Sequence, residues 1–154
     1  MSNINREDIN AQNELSRVMD LDDIDFEKLM NLFADFILNN LLEKENVHAL
    51  NINHEIAEKI KNYALQGKAF IDGYISKDIL TKERISAWDT YKELVNDDPS
   101  KKLLRIIICL LYDKEESEFD MHGSGEMLGV FFYLLLDLGA GYCNLFKNYL
   151  QSNL

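Results

Sequence analysis

Asn96-Asp97-Asp98-Pro99-Ser100-Lys101-Lys102-Leu103-Leu104-Arg105-Ile106-Ile107-Ile108-Cys109-Leu110-Leu111-Tyr112 is the stretch on which the fold class turns. Three successive isoleucines in an apolar run interrupted only by Arg105 would suit a central β-strand. The residues ahead of the run argue the other way. Proline at a first helical position has the φ a helix needs and no N–H to leave unpaired, and an aspartate before it can accept from the orphan donors of the first turn. Asp98-Pro99 is that pairing, so residues 103–112 are read as a buried helix.

The same punctuation recurs on both sides. Upstream, Thr81 stands as a cap before Ile85, Trp88, Leu94 and Val95, predicting a helix over about 82–95. Asn53 with Glu55 in the first turn opens a stripe of Ile56, Ile60, Tyr63 and Ala64, ending at Gly67 or continuing to Asp72-Gly73. Asp23 or Asp25 can cap a helix over about 25–45, whose Leu29, Phe33, Phe36, Ile37 and Leu41 recur at steps of three and four. Before it, residues 6–19 are polar and weakly periodic, so residues 1–20 are a short helix or a loosely packed arm. Downstream, Ser124 caps a helix from Gly125 onward, GEMLGVFFYLLLDLGAGYCNLFKNYL, apolar on most faces and expected at the centre. Gly139-Ala140-Gly141 either break it or let a neighbour approach closely.

One proline and seven glycines are few for the many turns of an all-β protein. With 154 residues, 47% of them apolar, and no linker or repeat, the expectation is an all-α single-domain compact bundle. It would have about five to seven helices and a very apolar C-terminal helix.

Charge bounds the function. Asp and Glu number 27 against 16 Lys and Arg, a net charge of −11. Residues 1–77 hold 8 basic and 14 acidic side chains and residues 78–154 hold 8 and 13, so the acidity is global. Such a field repels phosphate backbones and anionic membranes and speeds encounter with basic proteins. Direct nucleic-acid binding and membrane association are therefore not expected. The longest apolar run, 127–136, is ten residues, against the roughly 20 a spanning helix needs. The opening MSNINREDIN has no hydrophobic signal core, and Cys109 and Cys143 both sit in apolar surroundings. A cytoplasmic protein with two reduced, buried thiols is the reading.

No constellation reaches catalytic or cofactor chemistry. His122-Gly123-Ser124-Gly125-Glu126 puts a base, a hydroxyl and a carboxylate together, but its glycines flank the serine directly and no parallel-sheet pattern surrounds it, unlike a hydrolase elbow. Helix capping accounts for Ser124 and Glu126. His48 and His54 are six apart, where a zincin helix needs two histidines four apart. A calcium loop starting at Asp20 meets Ile24, Asp25 and Asn31 where it needs an acid, a glycine and a glutamate. Hence no enzyme activity, no metal and no cofactor are expected.

Two acidic clusters remain. Asp20, Asp22, Asp23, Asp25 and Glu27 are five acids in eight residues, and Asp113, Glu115, Glu116, Glu118 and Asp120 are five in eight. Ile24, Phe26 and Phe119 interleave them, the pattern of an apolar anchor ringed by carboxylates. The candidate partner-binding residues are Asp20, Asp22, Asp23, Asp25, Glu27, Glu115, Glu116, Glu118, Phe119 and Asp120.

In size, acidity and helical pattern, and in the clusters DLDDIDFE and DKEESEFD, the chain resembles the immunity proteins of bacterial contact-dependent inhibition and type VI secretion systems. That resemblance implies a cytoplasmic protein that occludes the active site of a basic cognate toxin domain, often a nuclease. A helical regulatory or adaptor protein would share the composition but use an apolar groove. A nucleic-acid mimic would array its acids along one face.

Overall fold

The computed structural model describes residues 6–113 and 124–154, the side chains of Asp22 and of residues 124–126 excepted. Among the described residues there are eight α-helices and no strand. They are α1 Arg6–Ser16, α2 Phe26–Phe36, α3 Lys44–Ala49, α4 His54–Ile71, α5 Lys77–Glu93, α6 Pro99–Ile108, α7 Ser124–Leu138 and α8 Tyr142–Asn153. The all-α expectation holds, with one helix more than the range allowed. Contacts gather the described residues into two units, 6–32 with 124–154 and 33–113.

The second of these units settles the helix-or-strand question. Asp98 Oδ1 accepts from the Ser100 N–H at 2.9 Å and Pro99 is the first residue of α6. The isoleucines 106–108 are buried, and a 3-10 turn at Cys109–Leu111 ends the run. α4 packs on α5, on α6 and on that 3-10 turn, and α5 packs on α6.

α4 continues through Gly67 to Ile71, and Gly67 has another role. A Cβ there would lie 2.8 Å from Leu110 Cβ and 3.0 Å from the Leu110 carbonyl oxygen, so the glycine lets the 3-10 turn reach the helix backbone. α4 and α5 are also joined by hydroxyls: Tyr63 Oη lies 2.7 Å from Ser86 Oγ and 3.1 Å from Thr90 Oγ1. Tyr63 and Thr90 are buried, so these bonds keep their hydroxyls partnered, as burial of a polar group requires.

Two helix boundaries differ from expectation. α5 begins at Lys77, not near residue 82, because Ser76 accepts from the Ile79 N–H. Thr81, taken as the cap, lies inside the helix and donates instead to the Lys77 carbonyl at 3.0 Å. The helix expected over 25–45 stops being α-helical at Phe36 and passes into a π-helical turn, Ile37–Leu41, with Leu42 N donating to Ile37 O. The chain then restarts as α3, because the Glu43 carboxylate accepts from the N–H groups of Glu45 and Asn46.

In the unit of residues 6–32 and 124–154, α1 packs on α7 and α8, and α7 packs on α8. Residues 6–16 are thus a docked helix, with Ala11 and Leu15 wholly buried. The expected long apolar C-terminal helix is two helices. α7 ends at Leu138, Gly141 turns the chain at φ 92°, and α8 follows from Tyr142. The very apolar segment is therefore the penultimate helix. The C-terminal α8 is amphipathic, burying Cys143, Phe146 and Leu150 while Leu145 is half out in water.

The break is stabilised from far away in sequence. Gly141 has no side chain to cap α8, and Asp8 of α1 takes over that task. Its carboxylate accepts from Gly141 N at 2.6 Å and Asn144 N at 3.0 Å. Asp8 is only 3% exposed, so this negative charge sits buried at the positive end of a helix. Lys147 of α8 binds Glu14 of α1 at 2.6 Å, which adds a second tie two turns along.

Candidate interaction surface

The first acidic cluster occupies the connection between α1 and α2. After Ser16 the chain makes a 3-10 turn, Leu21–Asp23, closed by Asp23 N donating to Asp20 O at 3.2 Å. The turn packs against α7, and Leu21 is buried. With that one apolar residue turned inward, the residues around it face water. Asp20, Asp23, Asp25 and Glu27 are all exposed.

Of the two candidate caps for α2, Asp25 does the work. Its Oδ2 accepts from the Lys28 N–H at 3.2 Å and its carbonyl from Leu29 N at 2.9 Å. Glu27 in the first turn also suits the helix dipole. Local hydrogen bonding therefore accounts for Asp25, whereas Asp20, Asp23 and Glu27 add charge to a surface beyond what capping needs. Ile24 and Phe26 are half-buried, so each offers only part of its side chain to a partner. Asp22 belongs to the turn, and its side chain lies outside the described residues.

In the second cluster only Asp113 is described. Lys77 holds it at 3.3 Å, and its side chain is 14% exposed, so this acid serves as an internal tie of residues 33–113. Glu115, Glu116, Glu118, Phe119 and Asp120 lie outside the described residues, as does His122. Ser124 opens α7.

His48 sits exposed at the end of α3 and His54 exposed at the start of α4. No group of three or more His, Cys, Asp or Glu side chains with metal-holding geometry occurs among the described residues. Both thiols are free and buried. Burial, aided by the nearby Asp8 charge, pushes the Cys143 thiol up to about 12. Cys143 donates to the Phe132 carbonyl at 3.1 Å. A thiol held that high is a poor nucleophile.

A cation–aromatic ladder between α5 and α6 was not anticipated from sequence. The Arg84 guanidinium lies 4.4 Å from the Tyr112 ring centroid, Arg105 lies 5.3 Å from Trp88, and Lys101 Nζ lies 4.6 Å from Tyr91. Trp88 Nε1 donates to Tyr112 Oη at 3.0 Å and meets Tyr91 edge-on at 5.3 Å. Arg84 also donates to the Leu111 carbonyl at 3.2 Å. All six side chains are half-buried and tie α5 to α6 and to Tyr112 just beyond the 3-10 turn. The spacing 84, 88, 91 is visible in the sequence, but the partners 101, 105 and 112 are known only once α6 is laid against α5.

No helix among the described residues is long and apolar enough to cross a membrane. Comparisons of the chain with family models, with curated proteins and with solved structures find no match.

Proposed function

We propose that this protein is an immunity-type antitoxin of the bacterial cytoplasm, without catalytic activity, which binds a basic toxin domain such as a nuclease and occludes its active site. The observation that carries the reading is the acidic turn between α1 and α2. Asp20, Asp23 and Glu27 are exposed together beside a buried Leu21 anchor, in a chain of net charge −11. Asp25 beside them supplies the cap of α2, and their further negative charge is what a basic partner would offset while being steered to the surface.

The test uses the tagged protein recovered with its bound partner from the native organism. The partner's activity is assayed alone and with added protein, and association rates are measured at low and high salt. Changing Asp20 and Asp23 to Asn and Glu27 to Gln together leaves the Asp25 cap in place. Association should slow about tenfold or more at low salt, with the penalty shrinking as salt screens the field. An acidic partner, or an association rate indifferent to both the triple change and salt, would sink the proposal.

A further inference from the structure

The outward face of α7 is unlike that of the other long helices. Between Met127 and Leu136 there is no charged residue for three turns, yet Tyr133 in the middle is 71% exposed. Val130 and Leu136, each three residues from it along the helix, are half-buried, and Asp137 closes the stripe. On α5, by contrast, the exposed Ile85 shares its face with Lys82, Asp89 and Lys92, the ordinary composition of a solvated surface. A helix apolar all round is one that expects to be covered on all sides. α1 and the acidic turn both pack against α7, and Gly129 marks the α1 contact, where a Cβ would sit 3.3 Å from the Gln12 amide nitrogen. Tyr133 is one turn further along the same face from that contact and is left exposed.

Charge selects the cover. Residues 6–32 and 124–154 carry 4 Lys and Arg against 10 Asp and Glu. A second copy would bring the same excess of acid against itself. At 15 residues α7 is too short to span a bilayer, and anionic lipid would be repelled. We infer that the outward face of α7, with Tyr133 as its anchor, is the apolar centre of a docking surface for a basic protein, and that the acidic turn on the same helix is its rim. The inference rests on the functional reading above and assigns it a contact residue. Tyrosine suits the task, since it buries a large rigid area at little entropic cost while its hydroxyl keeps a polar partner.

The experiment places the photo-crosslinker p-benzoylphenylalanine at position 133, at Asp23, or at the exposed Val95 as a control, in the full chain in the native organism. Adducts are identified by mass spectrometry. The expected result is one basic protein captured at both 133 and 23 and not at 95, with Tyr133→Ala weakening its binding by about 30-fold. Capture of a basic protein at 23 but not at 133 would overturn the α7 assignment and leave the proposed function standing. Capture of only a second copy at 133 would make the face a self-interface and overturn it too. Absence of any basic adduct at both positions would remove both readings. Tyr133 is exposed, so Tyr133→Ala should match the native circular dichroism, and loss of binding can then be assigned to the contact.

Discussion

Removing the Asp8 carboxylate should detach the start of α8 from α1. The two hydrogen bonds at 2.6 and 3.0 Å are charge-assisted, and the carboxylate that makes them is 3% exposed. A lost exposed cap costs about 1 kcal/mol. A hydrogen bond to a charged group contributes about 1.5–3 kcal/mol, and relief of the buried charge's desolvation returns part of that. Asp8→Ala should therefore destabilise by about 3 kcal/mol, lowering Tm by roughly 6–12 °C for a chain of this size. Asp8→Asn, which keeps one acceptor oxygen and the shape, should cost about half as much. Urea unfolding followed by far-UV circular dichroism measures both, with Asp25→Ala as the comparison, since Asp25 is an exposed cap expected to cost about 1 kcal/mol. If Asp8→Ala loses no more than Asp25→Ala, then α1 does not hold α8 and the account of this unit is wrong.

Gly67→Ala should cost about 1–3 kcal/mol despite alanine's better helix propensity, because its Cβ would meet Leu110 Cβ at 2.8 Å and a carbonyl oxygen at 3.0 Å; equal or higher stability in the same urea assay would show that the Leu110 turn yields freely. The Glu14–Lys147 pair carries a pH signature, since the hydrogen bond and then the charge of Lys147 hold the Glu14 carboxyl below its usual range. A folded-state pKa lowered in this way adds stability that is present above the unfolded value and is lost as pH falls through the folded one. The stability gap between wild type and Glu14→Gln should thus be open at neutral pH, close on acidification and narrow with added salt, and a gap constant from pH 7 to pH 3 would contradict the pairing.

What could be read from the sequence is what depends on near neighbours. Asp98-Pro99, Asn53 and Asp25 cap their helices through side chains two or three residues from the N–H groups they bind, and helical spacing placed Phe33, Phe36, Ile60 and Tyr63 in the core. The exposure of Asp20, Asp23, Asp25 and Glu27 was equally readable, because carboxylates so dense in sequence could not all be buried without a large desolvation cost. Even at short range, two readings competed at Thr81. A threonine inside a helix can bond backward to a carbonyl as well as cap, and only the choice of Ser76 by the chain decided which.

The tertiary structure decided everything that joins residues far apart. Asp8 caps a helix 133 residues away, Gly67 is needed because Leu110 arrives against it, and Asp113 leaves the candidate acidic surface because Lys77 is beside it. The cation–aromatic ladder exists only where α5 and α6 meet. The apolar segment 125–150 shows the physical reason most plainly. Its composition says that it will be buried, but glycines at 139 and 141 permit both a continuous helix and a break. The break is favoured because a carboxylate on α1 is there to satisfy the N–H groups it exposes, and no pattern within the segment carries that information.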